Sequence, residues 1–381
     1  MQMKFAKKKF PITKFINRFK IISLTVNTLF YFLLIIIRKF NSLYPYSTEN
    51  LAIVGLHKLG DTIFTIPAIK YITELYKDKI TIICFPESVP IYQLAFNNVK
   101  YCTLNHKEFH FNERIAKTVA KKKIKKIKPS IVIDLTGSMI SASLVYSIRA
   151  KKIIGFNRTQ FRGIYDYFQI SRTEPQLSDM YLDAIRPFIP IPGNSSITKT
   201  QISINPKGKI LMHPFAGWKE KEWGLKKFIN LAKQISKEYE VCFVVPHDHI
   251  ENDIFDEIRN SEIESISTDT TDKLIKFIKD CLLFIGNDSG PVNIANYLGK
   301  PTMTIYGATN PVYTETGTDH QLVMQKTIRC SAGLNEKYCF VGPGVINCPG
   351  IECMNLLAVD EVHTQVFSLL KKYCSQKSVE S

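Results

Sequence analysis

Short apolar runs alternate with longer segments of helical period along most of the chain. "NLAIVGL", "ITIICF", "SIVIDL" and "KKIIGF" are unbroken apolar stretches of strand length, as expected of strands buried on both faces. Between them "DTIFTIPAIKYITELY" places Ile63, Ile66, Ile69 and Tyr71-Ile72 at helical spacing, which predicts a helix with Pro67 near its first turn. "SMISASLVYSIRA" predicts another helix. The proline-, glycine- and serine-rich stretch "IPIPGNSSITKTQISINPKG" reads as a linker. A second alternation follows: strands at "KILMHPFAG", "EVCFVVP", "LLFIGN" and "KPTMTIYG", and helices at "LKKFINLAKQISKEY", "TDKLIKFIKDC" and "SGPVNIANYLG". "AVDEVHTQVFSLLKKY" predicts a terminal amphipathic helix. The pattern predicts an α/β protein of two doubly wound domains, at residues 50–190 and 208–373, joined by a linker at 191–207. Residues 1–49 precede them and a tail, 374–381, follows. Ligands of such sheets sit outside the carboxyl ends of the strands, which places the expected site in the cleft between the domains.

The amino terminus follows a different pattern. "IISLTVNTLFYFLLIII", Ile21 to Ile37, is seventeen residues without a charge, bounded by Lys20 and by Arg38-Lys39. That is the lower limit of the ~17–25 residues a spanning helix needs. No small-residue cleavage site follows it, against a removable signal peptide. The segment either spans a membrane or lies in the interface with its basic flanks on anionic headgroups. Its shortness and its charge on both sides favour the interface. The positive-inside rule keeps the basic first twenty residues cytoplasmic.

Composition narrows the partners. The 381 residues are 45% hydrophobic and 22% charged, without low-complexity tracts or fixed-period repeats, as in an ordinary globular protein. The net charge of +16 points to an anionic partner, and roughly half of that excess lies in the first fifty residues. The other concentration is "RIAKTVAKKKIKKIK", which is either a solvated helix face or a surface for anionic lipid or a phosphorylated acceptor. Nine cysteines do not make a disulfide scaffold in a chain of this length. Cys84, Cys102, Cys242 and Cys281 fall in or near apolar runs and read as core residues. Cys330, Cys339, Cys348 and Cys353 cluster late, in a C-x8-C-x8-C-x4-C spacing that matches no standard zinc pattern.

Candidate chemistry sits just after the strands. In "VGLHKLGDTIF", Gly55 and Gly60 have the spacing of a phosphate-binding loop, but Asp61 stands where that loop has its lysine. In "GNDSGPVNIANYLG", Asp288-Ser289-Gly290 joins a strand to a helix start, where free amides and the helix dipole bind anions; the same residues also read as a simple cap. In "HPFAGWKEKEWGLKKF", Gly217 turns the chain after a strand. Lys219 and Lys221 lie near the next helix start, a place a cation occupies more readily with an anion bound between them. Trp223 reads as packing.

Together these motifs resemble the ADP-heptose:lipopolysaccharide heptosyltransferases of glycosyltransferase family 9. The likeness runs from about Asn50 to Leu370 and is carried by "LAIVGLHKLGDTIFTIPAIKYI", "VIDLTGSMISASL", "HPFAGWKEKEW", "GNDSGPVNIANYLGKPTMTIYGATNP" and "CMNLLAVDEV". It implies a GT-B fold, two Rossmann-like domains facing an active-site cleft. It makes Asp61 the catalytic base and Lys221 the contact to the donor diphosphate. Asp288, Ser289 and Gly290 become the loop holding donor sugar and phosphates, with Gly217 and Asn293 on the same side. Gly60, Lys58 and Arg149 fall to the acceptor side. The family usually carries histidine where this chain has Asn293, and asparagine cannot become a cation.

The implied reaction is inverting and uses neither metal nor cofactor. An ionised Asp61 takes the proton of an acceptor hydroxyl as that oxygen attacks the anomeric carbon, and the diphosphate leaves toward Lys221. The expected partners are a nucleotide-diphosphate sugar such as ADP-heptose, a lipopolysaccharide-core or lipid-linked acceptor, and an anionic membrane surface at the cytoplasmic face of a bacterial inner membrane. The rival readings are a non-catalytic sugar-nucleotide-binding scaffold and a transferase using another donor such as a UDP-sugar. No D-x-D metal clamp, no G-x-G-x-x-G after the first strand and no G-x-S-x-G elbow is present. The basic runs carry no nucleic-acid-binding motif. "HDH" at His247–His249 reads as a polar loop after a strand rather than a ligand pair.

Overall fold

The computed structural model describes residues 13–43, 50–76, 79–112, 114–157, 159–172, 174–191, 201–247, 253–339, 348 and 350–374. Most of the linker, Asp248 and His249 of the His247–His249 pair, residues 1–12 and nearly all of the tail lie outside the described residues.

A long helix, α1 (Thr13–Ser42), leads into the first domain. There follow β1 (Leu51–Gly55), α2 (Leu59–Leu75), β2 (Ile80–Cys84), α3 (Val89–Gln93), β3 (Lys100–Thr103), the short hairpin of β4 (Phe109–His110) and β5 (Ile115–Ala116), and α4 (Thr118–Lys125). Then come β6 (Ile131–Asp134), α5 (Met139–Val145), β7 (Lys152–Asn157), β8 (Tyr167–Ile170) and α6 (Leu177–Ile185). The second domain holds β9 (Ile210–His213), α7 (Leu225–Ile235), β10 (Val241–Pro246), α8 (Asp253–Asn260), β11 (Glu264–Thr268), α9 (Thr271–Asp280) and β12 (Leu283–Asn287). It closes with α10 (Gly290–Tyr297), β13 (Thr302–Tyr306), β14 (Gln321–Gln325), α11 (Glu352–Asn355) and α12 (Val359–Cys374).

Among the described residues each domain is built on one six-stranded parallel sheet. The orders are β3-β2-β1-β6-β7-β8 and β11-β10-β9-β12-β13-β14. The order reverses between β1 and β6 in the first sheet and between β9 and β12 in the second, so each domain has one switch point where loops diverge and leave a crevice. The central strands are buried along their length, which is why they read as continuous apolar runs. α7 shows the complementary logic. Its Phe228, Leu231, Ala232 and Ile235 share one buried face, and burying each large side chain contributes roughly 1.5–3 kcal/mol. Trp223 packs edge-on against Phe228 with its indole N–H on Leu357 O, so its reading as a packing residue holds.

One apolar cluster runs across both domains. It joins Ile63, Ile66 and Ile69 of α2 and Ile91 of α3 to Leu274 and Ile278 of α9 and Val292 and Ile294 of α10. The two domains are therefore packed on each other through α2, α3, α9 and α10.

Three expectations are corrected. Pro67 lies in the interior of α2, not its first turn, because the helix starts at Leu59 and continues through the proline. The apolar segment Ile21 to Ile37 is part of a longer helix, α1, of 30 residues, which is docked on the first domain. Arg38, expected as a flanking cation, is buried there; it bonds the Asp166 carboxylate and donates to Ala150 O at 2.8 Å and Lys151 O at 2.9 Å. Among the described residues no helix is long and apolar enough to cross a membrane. The basic run is only partly helical, since its first residues form β5 and α4 spans Thr118–Lys125.

Candidate active site

A cleft of about 250 Å³ opens at the two switch points. Its first-domain wall is Lys58, Gly60, Asp61, Phe64 and Leu177, and its second-domain wall includes Gly217, Trp218, Lys221, Asp288, Ser289, Gly290 and Asn293. All the expected site residues but one therefore converge. The exception is Arg149, which is exposed in the turn between α5 and β7, where the chain re-enters the sheet at its amino end.

Asp61 occupies the first turn of α2, which begins after the β1 strand end. A carboxylate is stabilised at a helix start by the dipole. Thr62, in the position of a phosphate-loop hydroxyl, does something else: its Oγ1 donates to Lys58 O at 3.0 Å and lies 3.1 Å from Ser88 Oγ, deep in the domain. Behind Asp61 lie His57 and Tyr181. His57 is buried, which draws its pKa down although Asp61 partly opposes this, and its Nε2 lies 3.1 Å from Leu135 O. A carbonyl can only accept, so Nε2 carries the proton. Tyr181 packs edge-on to His57 at 5.2 Å, and burial, with Asp61 adding, holds its phenol far above the ordinary value. Among the described residues no salt bridge involves Asp61, and its half-exposed carboxylate lines the cleft with Lys58 on the same wall and Lys221 on the other.

The opposite wall is arranged for negative charge. Lys221, in a 3-10 turn after β9, donates to Asp288 Oδ2 at 2.6 Å and to Asp288 O at 3.3 Å, and its ammonium stands 4.6 Å from the centre of the Trp218 ring. Thr309 Oγ1 donates to the same carboxylate oxygen at 2.7 Å. Asp288 thus aims Lys221 rather than capping α10. Ser289 is the residue that caps α10 by position, yet its side chain makes no capping bond and its buried Oγ has no hydrogen-bond partner. A hydroxyl and the first amides of a helix, held beside an oriented ammonium, form a site for an anionic group. Gly217 keeps it open: a Cβ built there meets nothing within 4 Å, so a side chain would project into the cleft.

The two walls meet at their glycines. A Cβ on Gly290 would lie 3.1 Å from the Gly60 nitrogen, and one on Gly60 would lie 3.0 Å from Asn293 Nδ2. The starts of α2 and α10 therefore approach tip to tip across the domain boundary, and Asn293, only 7% exposed, reaches the seam.

Several lining residues escaped the sequence reading. Thr309, Asn310, Tyr313, Thr314, Lys337 and Tyr338 come from the chain after β13. "GATNP" held a partial signal for the first two; Lys337 and Tyr338 arrive through a bridge between Thr309 and Tyr338 that no local pattern announces. Tyr338 stands edge-on to Trp218 at 5.3 Å, extending the aromatic wall. Behind the first-domain wall, buried Asp134 accepts from Tyr165 Oη at 2.7 Å and from the amides of Thr136 and Gly137, and burial pushes its pKa up to about 6. Among the described residues no group of His, Cys, Asp or Glu is placed to hold a metal ion, the late cysteines included.

Two parallel doubly wound sheets with a shared cleft at their switch points define a two-domain α/β protein resembling the GT-B architecture. The sequence profile of "Glycosyltransferase family 9 (heptosyltransferase)" matches residues 119–341, more than half of the 381, and the chain belongs to that family. Lys221 and the Asp288 loop lie inside the matched segment and Asp61 precedes it. Lipopolysaccharide heptosyltransferase 1 of Campylobacter coli is 33% identical over 119 residues, 29% of this chain and 34% of that protein, so the match spans about a third of the relative's length. Among solved structures, a family 9 glycosyltransferase from Veillonella parvula superposes with a TM-score of 0.65 at 19% identity, covering 87% of this chain and 99% of that one. E. coli ADP-heptose lipopolysaccharide heptosyltransferase II gives 0.64 at 16% identity, covering 85% and 99%. An E. coli heptosyltransferase solved with ADP gives 0.60 at 14% identity, covering 84% and 99%. At these identities the likenesses establish the fold.

Proposed function

We propose that this chain is an inverting, metal-independent transferase that moves a heptose or related sugar from a nucleotide-diphosphate donor, ADP-heptose first among the candidates, to a lipopolysaccharide-core or lipid-linked acceptor. The observation that carries the reading is the opposition across one cleft of an unpaired carboxylate, Asp61, and an anion cradle made of Lys221, Ser289 and the start of α10. Asp61 accepts the proton of the acceptor hydroxyl. That oxygen attacks the anomeric carbon from the side opposite the leaving group, which inverts its configuration. The nucleoside diphosphate departs with the bond's electron pair, and Lys221 and the helix amides stabilise the charge that develops on it. In this reading the charge on the leaving diphosphate is met by Lys221 and the helix amides rather than by a divalent cation. The aromatic pair Trp218 and Tyr338 offers a stacking surface beside the cradle. Membership of the family and the likeness to ADP-heptose heptosyltransferases support the donor class.

A second reading, a non-catalytic binder of sugar nucleotides, is favoured by Asn293, which stands at the seam where the family usually has histidine. One experiment separates the readings. The purified full chain is incubated with ADP-heptose or UDP-sugars and a lipopolysaccharide-core acceptor, and released nucleoside diphosphate is measured. The transferase reading expects acceptor-dependent release from ADP-heptose. Binding of ADP-heptose without release from any donor defeats it, and release from a UDP-sugar alone reassigns the donor.

A further inference from the structure

α1 has two faces that differ in kind. The inner face carries Tyr31, Leu34 and Arg38, which pack on the segment Thr159–Ile164, on Asp166 and on the turn before β7. The outer face is apolar and uncovered: Leu29, Leu33, Ile36 and Phe40, at i, i+4, i+7 and i+11, are 66%, 52%, 52% and 72% exposed. A stripe of large apolar side chains on an otherwise soluble-looking domain calls for a cover.

Its surroundings say which cover. Leu34 of α1 and Ala120 and Ile124 of α4 belong to one apolar cluster on one face of the first sheet, so the two helices lie in the same layer. They meet at Tyr146: Asn41 of α1 donates to its carbonyl, and Lys121 of α4 stands 5.1 Å from its ring centre. Lys122, Lys125 and Lys126 of that layer are exposed. An apolar stripe beside a basic patch is the arrangement of a helix lying in the interface of an anionic bilayer.

The direction of α1 adds a consequence. Arg38 binds near the start of β7, whereas Phe30 meets Phe161 in the segment that follows the end of β7. Toward its amino terminus the helix therefore runs to the carboxyl-end side of the sheet, the side on which Asp61 opens. We propose that α1 is an in-plane membrane helix, locked to the first domain by Arg38, that lays the α1–α4 flank of that domain on an anionic lipid surface, with the cleft opening at the edge of that flank. A spanning α1 is disfavoured because Tyr31, Leu34 and Arg38 would have to leave their contacts with the first domain, Asp166 and two carbonyls among them.

The test is co-sedimentation of the full chain with vesicles, in parallel with its oligomeric state in vesicle-free buffer. The wild type should sediment with phosphatidylethanolamine–phosphatidylglycerol vesicles and remain in solution with phosphatidylcholine alone. Replacing Leu29, Leu33, Ile36 and Phe40 together by serine should weaken partitioning about a hundredfold or more, given the apolar area removed. Lys122→Glu, Lys125→Glu and Lys126→Glu together should abolish the preference for anionic lipid. Wild type that ignores both vesicle types, or a serine variant that binds as tightly, overturns the proposal. So does a wild-type dimer that the serine substitutions convert to monomer, which would assign the face to a second copy. None of these readouts involves sugar transfer, so failure here leaves the proposed reaction untouched.

Discussion

α2 and α10 begin on opposite sides of the switch point in two sheets of the same strand order, α2 after β1 and α10 after β12, and their first turns nearly touch. What they present is opposite. The start of α2 is filled by its own carboxylate, Asp61, with neutral His57 and Tyr181 behind it. The start of α10 is left open by Ser289 and Gly290 and is flanked by an ammonium that Asp288 and Thr309 orient. The same backbone device, a helix dipole at a switch point, serves in one domain to hold an anion of the protein and in the other to receive an anion of the substrate. Keeping the two on different domains prevents the base and the cation from pairing with each other.

Breaking the first-domain half should give the largest effect. Asp61→Asn keeps shape and removes the base, and turnover by initial rates should fall about 10²–10⁴-fold. Breaking the second-domain half comes next. Lys221→Met should lower kcat/KM about 10²–10³-fold, as loss of an oriented charge at a leaving group does. It should also cost about 3–5 kcal/mol in urea unfolding, because Asp288 is left buried without its partner. Adding Asp288→Leu should restore much of that stability and none of the activity, which separates the structural from the chemical role of the pair.

Asp134 sharpens the contrast within the first domain, since it is a carboxylate at the same strand ends but sealed from the cleft. Its pKa in the folded protein is about 6, against an ordinary 3.8. The folded state thus binds the proton more tightly than the unfolded state, so this group's cost is absent below pH 3.8 and grows as pH rises to about 6. Asp134→Asn removes it: relative to wild type the variant should gain up to about 3 kcal/mol between pH 4 and pH 7 in denaturant titrations. The smallest effect belongs to Gly217→Ala. The added methyl meets open space, so stability should move by less than about 0.5 kcal/mol while nucleotide affinity weakens a few-fold.

The central strands and the helices between them were legible because burial on both faces leaves an apolar run with nothing to interrupt it. The edge strands were not. β3 ("KYCT"), β8 ("YFQI"), β11 ("ESIST") and β14 ("QLVMQ") pair on one side only, and their half-exposed positions mix polar with apolar residues. At the site, Asp61 and Asp288–Gly290 were legible because each follows a strand end within six residues, and Lys221, eight residues after β9, through the motif "HPFAGWKEKEW". Lys337 and Tyr338 were not, since only the pairing of Thr309 with Tyr338 brings them to the cleft. Arg149 was misplaced because charge type gives no information about which end of a sheet a turn occupies. The two-sidedness of α1 was also hidden. An apolar run of seventeen residues shows no polar stripe, and the fold alone reveals that Arg38 points inward.

The division of labour between the helix starts is tested most directly by titrating ADP into wild type, Asp61→Asn and Lys221→Met in one calorimetric series. The account predicts that Asp61→Asn binds ADP at least as tightly as wild type, while Lys221→Met binds at least about tenfold more weakly, a difference of about 1.4 kcal/mol. Weakening by Asp61→Asn with no change in Lys221→Met would place the anion at the wrong helix and contradict it.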